Sequence, residues 1–281
     1  MNPLRMEEFV REVLNEDVGY GDWTTEALVS ESHRSQANLI AKRKGVVAGL
    51  PVAEAVFRKL DPKVEWVPAV EEGTPVKTGT VLARLRGKTR ALLTGERVAL
   101  NLLQRLSGIA TATREVVDQV NGLNCHVLDT RKTTPGLRFL EKYAVKVGRG
   151  TNHRFGLSHG IMIKDNHVAL AGGLTEAVHR VRKEMGHMVQ VEVEADTLDQ
   201  VREALSLDVD AILLDNMDVD TLRRAVEMIG GRVWTEASGG VTPDTVRAVA
   251  ETGVNGVSLG WLTHSTPALD ISMELEMEEE L

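Results

Sequence analysis

The chain predicts an α/β protein in two parts, a β-rich N-terminal region followed by a repeating strand–loop–helix region. Three observations carry this. Between residues 34 and 92, short β-type runs are broken by Gly45, Gly49, Gly73, Gly79 and Gly87, the punctuation of a small domain with several strands. From about 123 to 262, apolar runs alternate with helical stretches, the grammar of parallel strands in an α/β barrel or open sheet. Charged or glycine-rich residues recur just past each run, and in α/β barrels that carboxyl face of the sheet holds the active site.

The elements follow in order. Residues 1–20 read as a helix with Phe9, Val10, Val13 and Leu14 on one face. Ala37–Ala41 and Val81–Leu85 read as strands of an α/β sandwich or small β-rich domain. A long helix follows from about Thr94, with Glu96 in its first turn and Val98, Leu102, Leu103 and Leu106 as its apolar stripe. Strands are then expected at Cys125–Leu128, Gly160–Ile163, Val189–Val193, Ala211–Leu214, Val233–Thr235 and Val257–Leu259. Thr242-Pro243-Asp244 suit a cap and first turn for a helix closing at Gly253. The acidic tail, residues 274–281, reads as a frayed helix end.

Composition narrows the class. The 281 residues are 42% hydrophobic and 26% charged, ordinary for a soluble globular protein. The start carries acids where a secretory signal is apolar, and no apolar run reaches the ~20 residues of a membrane span. Cys125 is the single cysteine, which excludes an intrachain disulfide and suits a reducing compartment. A net charge of −8 with four Phe, four Trp and two Tyr argues against a nucleic-acid surface. A cytoplasmic enzyme is the expectation.

Against that acidic background, residues 129–167 hold eight Lys/Arg, three His and three acids. So dense a block of one sign points to a multiply charged anion. Arg131, Arg154 and Lys164 are its candidates: guanidinium forks grip carboxylates, and lysine acts as a point charge. His153 is placed to donate to the same ligand, while Arg138, Lys142, Lys146 and Arg149 read mostly as a solvated or interface face. Glu194 and Asp215 end successive strands and suit one hard cation, for which magnesium fits. Ser238-Gly239-Gly240 and Gly260 follow the last two strands, where backbone N–H groups can cradle a phosphate. Lys164 has a rival reading as a Schiff-base lysine.

Taken together, several segments resemble the quinolinate phosphoribosyltransferase family. They are Glu16-Asp-Val-Gly-Tyr-Gly-Asp-Trp-Thr-Thr25, Glu96-Arg97-Val-Ala-Leu-Asn101, Leu106-Ser-Gly-Ile-Ala-Thr111, Asp129-Thr-Arg-Lys-Thr-Thr-Pro-Gly136, Asn152-His-Arg154, Ile163-Lys-Asp-Asn-His167, Val191-Glu-Val-Glu194, Leu214-Asp-Asn216, Glu236-Ala-Ser-Gly-Gly240 and Leu262-Thr-His-Ser265. The resemblance implies an N-terminal α/β sandwich domain and an open, incomplete TIM-like α/β barrel. On it, residues 1–112 form the sandwich, 113–266 the barrel, and 267–281 a C-terminal helix packing back on the first domain. It implies transfer of phosphoribosyl from 5-phosphoribosyl-1-pyrophosphate to quinolinate, giving nicotinate mononucleotide, pyrophosphate and carbon dioxide. Arg131, His153, Arg154 and Lys164 would hold the two quinolinate carboxylates. Arg97 would be lent by the neighbouring subunit of a homodimer, alone or in a higher assembly, whose active sites are shared. Lys132, Glu194 and Asp215 would serve the ribose and the magnesium pyrophosphate, and Ser238, Gly239 and Gly260 the 5-phosphate.

Three alternatives remain. One is a paralogous pyrophosphorylase-like protein of the same fold, of the type associated with molybdate transport, acting on another base. The others are a Schiff-base lyase built on Lys164 and a non-catalytic sensor of phosphorylated sugars.

Overall fold

Glycine and proline punctuation divides residues 1–277, those the computed structural model describes, into short elements. In chain order these are α1 (Pro3–Val18), α2 (Trp23–Leu28), β1 (Arg34–Ala41), β2 (Gly45–Val46), α3 (Leu50–Leu60), β3 (Glu65–Pro68), β4 (Pro75–Val76), β5 (Val81–Lys88), α4 (Thr89–Gln119), β6 (His126–Leu128), α5 (Arg138–Val147) and β7 (Ile161–Ile163). There follow α6 (Asp165–Ala171), α7 (Leu174–Glu184), β8 (Val191–Ala195), α8 (Leu198–Ala204), β9 (Ala211–Asp215), α9 (Val219–Ile229), β10 (Trp234–Ser238), α10 (Val246–Ala250), β11 (Gly256–Ser258), α11 (Trp261–His264) and β12 (Ile271–Met277). They form two units. The first takes Met1–Ala112, Phe139–Gly148 and the chain from Ser265 on; the second takes Thr113–Arg138 and Arg149–His264. Among the described residues no helix is long and apolar enough to cross a membrane.

In the first unit, an antiparallel sheet of order β12-β1-β5-β3 is joined by helices, the expected α/β sandwich. On β1 the alternation turns Ser35, Ala37, Leu39 and Ala41 inward. Helix α1 starts where Asn2 accepts from the Leu4 N–H and Pro3 takes the first position, and it buries Met6, Val10 and Leu14. Helix α4 begins at Thr89, earlier than the expected Thr94, because β5 runs into it without a loop.

The C-terminal segment corrects the sequence reading. Residues 271–277 form a strand paired antiparallel with β1, in place of the expected helix; 278–281 lie outside the described residues. The signal was period-two alternation: Ile271, Met273 and Leu275 are shielded while Glu274 and Glu276 are exposed. Glu274 pairs with Lys42, just past β1 (2.7 Å), and Glu276 with Asn38 on β1 (2.9 Å). Lys146 on α5 and Arg149 just past it are exposed as expected, but Lys142 is 2% exposed, since the helix buries Leu140, Glu141, Ala144 and Val145 around it. Glu141 is itself fully buried and takes two bonds from the Arg105 guanidinium, at 2.9 and 3.2 Å.

In the second unit six parallel strands run in the order β6-β11-β10-β9-β8-β7. Helices cover such a sheet, so its strands read as nearly continuous apolar runs, as in Ile212-Leu213-Leu214. Edge strands β6 and β7 are not paired with each other among the described residues, which leaves the α/β barrel open. Parallel pairing puts all six carboxyl ends on one rim, where the sequence places its charged and glycine-rich residues.

Ser107, Gly108 and Thr111 form a small, polar stripe of α4. Ser107 Oγ accepts from Ala48 N–H (3.0 Å), and Thr111 Oγ1 accepts from Val46 N–H (2.8 Å). A Cβ on Gly108 would stand 2.1 Å from the Pro267 carbonyl oxygen. Gly108→Ala should therefore destabilise the protein by about 1–3 kcal/mol, despite alanine's higher helix propensity. The urea midpoint measures this, and an unchanged or raised midpoint contradicts the close approach.

Candidate active site

Asp129, the first residue past β6, is fully buried. It accepts from the His153 N–H (2.8 Å) and from the Asn152 side-chain amide. This ties the loop 152–154 to the end of β6 and brings Arg131 and Arg154 onto one cavity of about 610 Å³. Arg154 is steadied by donating from Nη1 to the Gly160 carbonyl (2.9 Å). Burial first, then the charge of Arg131, pull the Arg154 pKa below the usual guanidinium range, while Glu192 partly offsets them. The Arg131 Nε–H is buried without a partner among the described residues. Two guanidinium groups that repel, one with an unsatisfied buried donor, thus face one cavity.

Below them His153 stands over two carboxylates. Its Nε2 lies 3.1 Å from Glu192 Oε2 and 3.5 Å from Glu236 Oε2, and its Nδ1 accepts from the Arg154 N–H (2.7 Å). That bond assigns the lone pair to Nδ1 and the proton to Nε2. Both ring nitrogens are thus engaged within the protein, and the bond from the Arg154 backbone N–H fixes the His153 ring. Burial, followed by the charge of Glu192 and to a lesser degree Asp129, pushes Glu236 up to about 7, against the pull of His153 and the Ser258 hydroxyl.

On the other side, Lys164 Nζ donates to Glu194 Oε2 (2.8 Å). Glu194, Asp196 and Asp215 each offer a carboxylate oxygen within 4.8 Å of the others, a hard-oxygen set of the kind magnesium takes. At the ends of β10 and β11 the glycines have steric reasons. Gly239 has φ 98°, and a Cβ there would meet Asn216 Oδ1 at 2.2 Å. Asn216 in turn donates its N–H to the Ser238 carbonyl (3.0 Å). A Cβ on Gly260 would strike Lys132 Cδ at 2.8 Å, so its absence lets Lys132 lie across the loop. The Lys132 carbonyl accepts from the Thr263 hydroxyl (2.7 Å). Thr242 does not cap the next helix: α10 starts at Val246, and Thr242-Pro243-Asp244 form a turn before it.

Known proteins match this architecture along the whole chain. The family model for the Quinolinate phosphoribosyl transferase C-terminal domain matches residues 109–274, and that for the N-terminal domain matches 22–107. The chain belongs to the quinolinate phosphoribosyl transferase family. It is 46% identical over 280 residues to the probable nicotinate-nucleotide pyrophosphorylase [carboxylating] of Bacillus subtilis, covering 100% of this chain and 96% of that one. A Synechocystis protein of the same name is 44% identical, covering 96% and 92%. The crystal structure of NadC from Streptococcus pyogenes superposes with a TM-score of 0.96 at 39% identity, covering 99% of each chain.

Within this quinolinate phosphoribosyl transferase chain, one cavity gathers Arg131, Lys132, His153, Arg154, Lys164, Glu194, Asp215, Ser238, Gly239, Gly240 and Gly260. Arg97 is not among them. It is exposed on α4, beside Asp22 and Trp23 in a smaller cleft of the first unit. The sequence reading missed the buried Glu192 and Glu236, although Glu192 and Glu194 stand two apart on one strand and so share a face. It also missed Asp196, Asn216 behind Gly239, His264 on the cavity wall, and Arg138. Arg138 belongs to a group read mostly as a solvated or interface face; it donates to Thr133 Oγ1 (2.8 Å) and the Arg131 carbonyl (3.2 Å), bracing the loop that carries Arg131.

Gly239→Ala combines a strained φ with the Asn216 clash. It should lower stability by about 1–3 kcal/mol, seen as a lower chemical-denaturation midpoint. Wild-type stability in the variant would mean that the loop does not need this conformation.

Proposed function

We propose that this chain transfers phosphoribosyl from 5-phosphoribosyl-1-pyrophosphate to quinolinate with decarboxylation, giving nicotinate mononucleotide, pyrophosphate and carbon dioxide. The observation that carries the reading is the paired Arg131 and Arg154 with the orphaned Arg131 Nε–H, a receptor suited to a small dicarboxylate. The names of the relatives support it. Arg131, Arg154 and Lys164 bind and orient the two carboxylates, with the Arg154 guanidinium held by the Gly160 carbonyl and His153 beside it. Ser238, Gly239, Gly240 and Gly260 offer backbone to the 5-phosphate.

Glu194 and Asp215, with Asp196 beside them, would hold magnesium. When bound, magnesium neutralises charge on the departing pyrophosphate. Lys132 adds its ammonium to the same anion, which is stabilisation of the charge that forms in the transition state. Fixing the ring nitrogen against the ribose C1 lowers the barrel's remaining barrier by up to ~7–11 kcal/mol. Once that nitrogen is quaternised, the bond from C2 to its carboxylate breaks, the ring holds the electron pair, and C2 takes a proton.

Arg97 completes the site from a second copy in this reading. Its setting supports a homodimer: Tyr20, Trp23 and Leu28 of the same unit are large, apolar and exposed, the composition of a covered surface. Burial pushes the lone Cys125 thiol up to about 11, so it is not a thiolate nucleophile, and it suits a reducing cytoplasm.

An assay with quinolinate, nicotinate and nicotinamide tests the reaction: pyrophosphate and carbon dioxide should appear in equal amounts with quinolinate alone. Pyrophosphate with another base moves the function to a paralogue. Arg131→Ala or Arg154→Ala should raise the quinolinate KM by roughly 10–100-fold, the loss of a ~1.5–3 kcal/mol charge-assisted contact, with less effect on the other substrate. Equal loss for both substrates removes the carboxylate role. Asp215→Asn should shift the magnesium dependence. For the shared site, inactive Arg97→Ala and Arg131→Ala proteins should regain activity on mixing, and no recovery places Arg97 outside a shared site.

A further inference from the structure

Two carboxylates meet one histidine at the floor of the cavity. His153 has a single N–H on that side, and it reaches Glu192 Oε2 at 3.1 Å and Glu236 Oε2 at 3.5 Å. One N–H cannot satisfy two anions, and the Glu192 and Glu236 side chains are only 11% and 3% exposed, so water does little for either. Glu192 has the shorter bond. Glu236 has the harder position: its Oε1 is buried and has no hydrogen-bond partner among the described residues. An orphaned carboxylate oxygen beside a second buried carboxylate is costly, whereas a carboxylic acid there carries no charge to desolvate.

The charged and titratable groups facing Glu236 come from several strand ends. Glu192 and Asp129 supply negative charge, and His153, whose Nε2 faces both glutamates, pulls the other way. The Ser258 hydroxyl favours the anion, and burial outweighs it, setting the group at about 7. Glu236 also lines the cavity with Arg131 and Arg154.

We propose that Glu236 is the proton-bearing carboxyl of this site, and that quinolinate binds to the form in which Glu236 is neutral. The inference rests on the substrate reading above and adds a specificity-determining residue to it. When Glu236 ionises, its charge joins those of Glu192 and Asp129 beneath the two arginines. The field that holds the substrate's carboxylates then weakens. The sign follows: affinity is full while the proton is on, below about 7, and falls as pH rises through that value. By linkage, quinolinate binding above that pH draws a proton onto the protein.

The test is calorimetric titration of the full chain with quinolinate across pH 6 to 8.5, for the wild type and Glu236→Gln, whose amide mimics the neutral acid. For the wild type, Kd should rise towards about ten-fold per pH unit above neutrality, as the competent fraction shrinks. For the variant it should stay nearly flat. The same wild-type titration in buffers of different ionisation enthalpy should show proton uptake at pH 8, a readout available even if the variant does not fold. Binding with a flat wild-type profile and no uptake, or with equal slopes in both proteins, overturns the proposal and leaves quinolinate as substrate. No binding of quinolinate at any pH overturns the substrate reading, and this proposal with it.

Discussion

Two arginines aimed into one cavity repel, and the buried acids around them permit the arrangement. Asp129 fastens the backbone of residues 152–154 to the end of β6, and Glu192 gives counter-charge to Arg154 from below. Without that negative floor, the mutual repulsion of Arg131 and Arg154 would go uncompensated. In the proposed reading, a bound dianion would offset the cost of bringing these like charges together. His153 links the layers: its ring takes the Arg154 N–H on one nitrogen and points the other at the acids.

Around this centre the sheet acts as a ruler. Parallel strands β6 to β11 deliver carboxylates, an ammonium and glycine loops to one rim, so groups far apart in sequence come within bonding range. The loops are shaped by what they must avoid. Gly239 leaves room for Asn216, and Gly260 leaves room for the aliphatic stem of Lys132. The hydroxyl of Thr263, on the short helix after β11, then holds the Lys132 backbone. Arg154 and Lys164 are braced in turn, by the Gly160 carbonyl and by Glu194.

Much of this was legible in the residues. Alternation of apolar runs with helical stretches marked the six parallel strands, because a sheet buried on both faces needs continuous apolar sequence. Polar residues past each run marked the rim. The C-terminal strand was legible too, in the alternation from Ile271 to Leu275, but its run of glutamates masked that period. The pairing that makes those acids tolerable, with Lys42 and Asn38, comes from a strand more than two hundred residues earlier.

By itself, then, the sequence determined the α/β class, the strand ends and the cationic block, since these depend on local periodicity and composition. Tertiary structure decided which charges meet. Lys164 is bonded to Glu194, a residue assigned to a different ligand, and Arg138 to the loop that carries Arg131. It also decided that Glu192 and Glu236 share a histidine. Burial and electrostatic coupling depend on three-dimensional distance, and no spacing along the chain encodes the few ångströms that separate an inert strand glutamate from one whose proton matters.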